Sequence, residues 1–153
     1  MPATTEDLLV ERVRMFLRDH QILNKLIKGN ETNDTQLRVH LEDALDDFNF
    51  TPPLLGKFTF DSIPSKRLLV RGAVIEALTS AGILQSRNRL NYSDGGITVQ
   101  VSDKAQEYMA WLERLVVDYE SKKTQLKKTL NAEQAFGGIH SEYFETRLDD
   151  NPI

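Results

Sequence analysis

The chain has 153 residues, 40% of them hydrophobic and 27% charged, with no cysteine; this is one domain's worth of globular composition with room for an appendage, and it excludes disulfides, thiolate chemistry and cysteine-based zinc sites. A formal net charge of −4 argues against a dedicated nucleic-acid binder, although a local basic patch could sit inside it. No apolar run approaches the roughly 18–20 residues that a membrane span needs, and the opening MPATTEDLLVERV lacks the basic segment and apolar core of a secretory signal.

Thr4 or Thr5 caps a first helix, with Glu6 and Asp7 in its opening turn, where the helix end is positive. Leu9, Val13, Phe16 and Leu17 make its apolar stripe. Ile22, Leu23, Leu26 and Ile27 suggest a short second helix stopped at Gly29-Asn30. Asn33 or Asp34 opens the next helix, in which Leu37, Leu41, Ala44, Leu45 and Phe48 recur at helical spacing. Its other face is acidic: Glu42, Asp43, Asp46 and Asp47.

Pro52-Pro53 ends that helix and forces an extended path. Residues 54–63 read as a connector, with Phe58, Phe60 and Ile63 available to pin it to the body. Pro64 or Ser65 starts a strong helix to near Ala81, with Gly82 at the stop position. Leu68, Leu69, Ala73, Val74, Ile75, Ala77 and Leu78 spread over a wide arc, which predicts a central helix touched on more than one side.

Arg87–Val101, RNRLNYSDGGITVQV, reads as a β-hairpin. A tight turn at Asp94-Gly95 pairs Tyr92 with Ile97 and Leu90 with Val99, all on one face together with Val101. Arg89, Asn91, Thr98 and Gln100 fall on the other face. A lone two-stranded ribbon is marginal in water, so this one must lean on helices and find a cover for its edges.

Ser102 or Asp103 caps the last helix, whose stripe is Ala105, Tyr108, Met109, Leu112, Leu115, Val116 and Tyr119. Tyr108 and Trp111 read as packing residues; exposed, they would mark an interface. Beyond Tyr119 the pattern thins to Leu126 and Leu130 among Lys122, Lys123, Lys127 and Lys128, a solvated helix end that projects past the body. From Asn131 the chain has a Gly137-Gly138 break, no sustained period and an acidic balance, yet it keeps Phe136, Ile139, Tyr143, Phe144 and Leu148. It reads either as a frayed terminus or as a segment that docks on a partner. The expected fold is mainly α: a small bundle of four to five helices with one β-hairpin and an extended C-terminal tail. Residues 1–130 form the body, with the hairpin at 87–101, and 131–153 form the arm.

No residue set announces chemistry. Asp43 and Asp47 lie one turn apart, but nothing nearby converges on them as a metal site would require, and a solvated acidic face explains them. His20, His40 and His140 show no zinc spacing, and no GxSxG, GxxxxGK[ST] or GxGxxG occurs. The chain therefore reads as a non-enzyme without cofactor or metal. Lys66, Arg67, Arg71, Arg87 and Arg89 cluster around the central helix and the hairpin. They fit either a winged-helix DNA-binding regulator, using the 66–89 basic helix and the hairpin as wing, or pairing with the acidic 42–47 face within or between subunits. Pairing is favoured, because the preceding helices carry no helix-turn-helix spacing.

The order ETNDTQL helix, DFNFTPP, IPSKRLLVRGAVIEALTSAGIL, RNRLNYSDGG and a long final helix resembles the neck proteins of tailed bacteriophages, the head–tail connector or adaptor family. The resemblance covers roughly Thr5 to Leu130, and RNRLNYSDGG is its most specific piece. It implies a structural virion protein, assembled in the host cytoplasm, that forms a ring, commonly of twelve copies, under the portal. It further implies no catalytic site, no membrane, a downstream neck or tail-terminator partner, and DNA passing through without specific binding. Carried onto this chain, Phe136, Ile139, Tyr143, Phe144, Arg147 and Leu148 would dock on the portal. The ring interface would draw on Asp43, Asp46, Asp47, Arg67, Arg71, Arg87 and Arg89, with Tyr92 and Asp94 of the hairpin. A mildly acidic chain suits a ring that DNA must traverse, because tight phosphate contacts would hinder passage.

Overall fold

Two capping boxes set where the first helices begin. The computed structural model describes residues 3–24, 29–87, 92–94, 97–99 and 104–136. In α1 (Thr5–Leu17) the Thr4 hydroxyl accepts the Asp7 N–H at 3.2 Å, and the Asp7 carboxylate accepts the Thr4 N–H at 3.0 Å. In α2 (Asp34–Phe50) Asn33 and Gln36 exchange the same pair of bonds at 2.8 and 3.2 Å. α1 ends on Arg18 in the left-handed conformation, φ 57°, with its N–H returned to the carbonyls of Arg14 and Met15. Residues 20–24 then make a turn in which Leu23 and Asn24 donate to the His20 carbonyl. The short helix expected over Ile22–Ile27 is not formed in this part, and residues 25–28 lie outside the described set.

α3 (Lys66–Arg87) opens with the Ser65 hydroxyl accepting the Leu68 N–H at 3.2 Å. It is the centre of the molecule and packs against α1, α2 and α4 (Lys104–Phe136). That is why Leu68, Leu69, Val70, Ala73, Val74, Ile75 and Ala77 are buried around its circumference, with no single apolar stripe. α2 contributes Leu37, Leu41, Ala44 and Phe48 to this core, and α1 contributes Leu9, Val10 and Val13. Gly72 sits where three helices meet: a Cβ there would lie 2.9 Å from Ala44 Cβ and 3.0 Å from the Tyr119 hydroxyl. The connector is pinned as expected, with Ile63 buried and Phe58 edge-on to Phe48 at a centroid distance of 5.5 Å. Asn49 holds the Phe58 backbone, donating to its carbonyl at 3.1 Å and accepting its N–H at 2.8 Å.

Three expectations are corrected. Gly82 does not stop α3, which runs on to Arg87; an interior glycine costs a helix only about 1 kcal/mol, and Gly82 does not take the positive φ that a left-handed cap requires. Arg87 is therefore helical and does not belong to a ribbon. The backbone of Tyr92–Asp94 (β1) pairs antiparallel with Ile97–Val99 (β2), Tyr92 opposite Val99 and Asp94 opposite Ile97. This register is two residues away from the expected Tyr92–Ile97 pairing. The rest of the expected ribbon, Arg89 and Leu90 included, lies outside the described residues, as does the expected Ser102/Asp103 cap.

The third correction concerns the end of α4. Its C-terminal half does not project: Tyr119, Lys123 and Lys127 are buried against the body. The helix continues to Phe136, so residues 131–136, expected to begin an extended arm, are helical and exposed. Ile139, Tyr143, Phe144, Arg147 and Leu148 lie outside the described residues. Among the described residues no helix is long and apolar enough to cross a membrane.

Candidate functional site

The acidic face of α2 is divided in its use. Asp47 turns toward α4, where its Oδ2 accepts from the Tyr119 hydroxyl at 2.9 Å and from Lys123 Nζ at 2.7 Å. Lys123 also donates to Glu120 at 2.7 Å and lies 4.8 Å over the Tyr119 ring. Burial, reinforced by the Asp47 carboxylate, pushes the Tyr119 hydroxyl well above its ordinary pKa. Asp43 and Asp46 are exposed and make no ion pair among the described residues. Asp43, Asp46 and Phe50 fall on one side of α2 by their helical spacing.

One turn beyond Lys123, Lys127 is 0% exposed. Its ammonium lies 4.8 Å from the Phe48 ring centre and 5.7 Å from that of Phe58, with no hydrogen-bond partner among the described residues. Burial, with Lys123 nearby, lowers its pKa. The Lys122–Lys128 run is thus not a uniformly solvated end: two of its lysines lay their alkyl stems on the core.

Of the basic cluster, Arg71 is ion-paired with Asp118 of α4, which also accepts from Lys122 at 2.8 Å. The Lys122 bond first and Arg71 second hold the Asp118 carboxyl below its ordinary pKa, against the opposing effect of desolvation. Arg67 and Arg87 are exposed on α3, Arg89 is outside the described residues, and Tyr92 and Asp94 are described by their backbone. Within the chain, then, Asp47 meets Lys123 and Arg71 meets Asp118; the expected pairing of the 42–47 face with the 66–89 arginines does not occur among the described residues.

The polar residue that the sequence reading missed is Arg14. It is buried between α1 and α2, donating to the Asp19 carboxylate at 3.1 Å, to the Thr32 carbonyl at 3.0 Å and to Asp34 at 2.5 Å. Asp19 also accepts the N–H groups of Glu31 and Thr32 and the Asn24 amide. Burial raises the Asp19 pKa, but those donors and Arg14 outweigh it and leave the carboxyl lowered. The available signal was a charge inside the stripe Val10, Val13, Arg14, Leu17. Near the other end of α1, Arg38 of α2 clamps Glu6 at 2.5 Å and also Asp7. The Thr4 N–H and hydroxyl, then Arg38, bring the Asp7 carboxyl down to about 2.

The apolar surface is less complete than the core. Trp111, expected to pack, is 61% exposed, and Phe16, expected in the α1 stripe, is 48% exposed. Together with Leu115 they wall an open groove of about 390 Å³ between α1 and α4, floored by Val74 and Leu78 of α3 and edged by Arg18. A second apolar point is Phe50 with Leu54, 77% and 72% exposed, at the end of α2. Family models, curated proteins and solved structures give no match to this chain. Function is therefore read from these surfaces. Among the described residues no three His, Asp or Glu side chains gather to hold a metal ion. A small cavity of about 170 Å³ lined by Asp19, His40, Ser80 and Leu84 has its one buried acid already engaged by Arg14. Exposed apolar side chains of this kind are what contacts between macromolecules use.

Proposed function

We propose that this chain is a structural subunit of a tailed-phage neck, forming a ring, commonly of twelve copies, that joins the portal to the next neck or tail component. The observation that carries the reading is Trp111 and Phe16 standing exposed together on a body whose core is otherwise well filled, alongside the resemblance in DFNFTPP and RNRLNYSDGG. An indole at the surface costs hydrophobic free energy that an interface returns. In this reading the ribbon around 87–101 lies at a contact between copies or with the tail side. The segment 137–153 is the portal-docking arm, with Ile139, Tyr143, Phe144, Arg147 and Leu148 as contacts. DNA passes without specific binding, no cofactor is needed, and the protein resides in the virion.

Size-exclusion chromatography with mass measurement, alone and with the portal ring, tests this. The expected result is a ring bound to the portal. A chain that stays monomeric and ignores the portal overturns the reading. We rank a winged-helix regulator second. A recognition helix must offer a face to the major groove, whereas the first half of α3 is buried on most sides, from Leu68 to Ala77, and Arg71 is bound to Asp118. Salt-sensitive duplex binding that disappears in Arg67→Ala and Arg87→Ala would promote it.

A further inference from the structure

We propose that the groove walled by Phe16 and Trp111 receives the Phe50–Leu54 knob of a second copy of this chain. The proposal rests on the ring reading above and names its contact. Shape and polarity come first. The groove is lined by apolar side chains apart from Arg18, and Phe50, the last residue of α2, is 77% exposed with Leu54, four residues on, 72% exposed.

Charge comes second. The knob is flanked by Asp43 and Asp46 on its own side of α2. Asp46 stands one turn before Phe50, and the last turn of that helix, whose backbone end is itself negative, carries no basic residue of its own. Asp47 is answered by Lys123, but Asp43 and Asp46 have no ion pair among the described residues. The groove carries the opposite sign. Arg18 edges it, and Arg12 stands one turn before Phe16; both are exposed, and neither is in an ion pair among the described residues. Docking the knob would place two carboxylates against two guanidinium groups.

Position comes third. Lys127 of α4 packs on Phe48, beside the knob, and Trp111 of the same helix walls the groove. At a rise of about 1.5 Å per residue the two lie roughly 24 Å apart along α4. Knob and groove therefore occupy different ends of the body, so the contact is heterologous and can propagate from copy to copy, as a ring requires. Arg67 and Arg71, the expected basic partners of the acidic face, are replaced in this role by Arg12 and Arg18.

The chain has no cysteine, so single cysteines can be introduced cleanly. Full-length Thr51→Cys and Met15→Cys chains, which keep Phe50 and Trp111 and place a thiol beside the knob and beside the groove, are each checked for native helicity and treated with a short bismaleimide separately and mixed. The expected result is a crosslinked dimer in the mixture and at most a trace in either chain alone. Asp46→Arg placed in the Thr51→Cys chain should cut the yield at least tenfold, and Arg18→Asp in its partner should restore it. No crosslink in the mixture, or a Thr51→Cys product as abundant alone as mixed, overturns the contact. The portal experiment is read separately: a portal-bound ring without this crosslink leaves the neck reading standing and this contact wrong.

Discussion

At the scale of single residues, Lys127 and Gly72 carry the strongest physical commitments. Lys127 places its amine inside the core beside two aromatic rings, with no hydrogen-bond partner among the described residues. Cation–π attraction returns about 2 kcal/mol at best, whereas desolvating an ion costs several. Lys127→Met keeps the stem and removes the charge, so it is expected to raise stability at pH 7 by about 1 kcal/mol in a denaturant titration. The pH dependence has a definite sign. The folded pKa of Lys127 lies below the ordinary 10.5. The native amine gives up its proton first, so native stability rises with pH from the folded value toward 10.5. The advantage of Lys127→Met should shrink over that window, and comparing the two chains cancels the opposing ionisation of Tyr119. Gly72 is a steric commitment. A methyl group there would press on Ala44 and Tyr119, two side chains on separate helices that cannot both retreat. Gly72→Ala is expected to cost about 1–3 kcal/mol despite the better helix propensity of alanine. Adding Ala44→Gly should recover part of that loss in the same titration.

At the scale of elements, α1 and α2 are joined as much by ions as by packing. Arg14 and Asp19 are both buried and ion-paired; Arg14 also holds Asp34, and Asp19 also accepts from Glu31, Thr32 and Asn24. Asp19→Asn takes one of two carboxylates from a buried guanidinium and turns an acceptor of several N–H groups partly into a donor, so it is expected to cost about 3 kcal/mol. Asp19 and Asp7 have folded pKa values below the ordinary 3.8. The stability they add is complete above that value and is lost as pH falls through the folded ones, near 2 for Asp7. Acid unfolding followed by circular dichroism should therefore show the wild type losing stability below pH ~4, with a shallower loss in Asp19→Asn. These elements were unequally legible in the sequence. The α2 stripe and the starts of α1 and α2, placed to within a residue, could be read because period and cap chemistry are local. The central place of α3 could be read because apolar residues on every side require neighbours on every side. The far end of α3 could not, since a glycine in a helix and a glycine ending one differ only in φ. The burial of Lys123 and Lys127 could not either. A lysine stem is long enough to serve core or solvent, and Phe48, Phe58 and Asp47 decide between them from another part of the chain. The exposure of Trp111 was missed for the converse reason: a helical stripe shows which residues could be covered, not whether anything covers them.

At the scale of the whole molecule, α4 is a wall of the body along most of its length and exposed helix at its end. Its last partly buried residue packed on the core is Leu130, and 131–136 are exposed. The boundary that matters for stability therefore lies near Leu130, and the boundary that matters for attachment lies beyond it. Deleting 131–153 is expected to leave the melting temperature within a few degrees of the full chain, because its described part, 131–136, is exposed helix. Attachment to the portal should be lost. Ending the chain after Tyr119 is expected to do the reverse to the body. It takes away Lys123 and Lys127, strands Asp47 and uncovers Phe48 and Phe58, so cooperative melting should disappear. Calorimetry on the two truncations, with portal pull-down on the first, separates scaffold from arm. Loss of cooperative folding on removing 131–153 would show that these residues belong to the core. A truncated chain that still attached to the portal would assign attachment to the body instead, leaving the exposed groove and the end of α2 as the surfaces able to supply it.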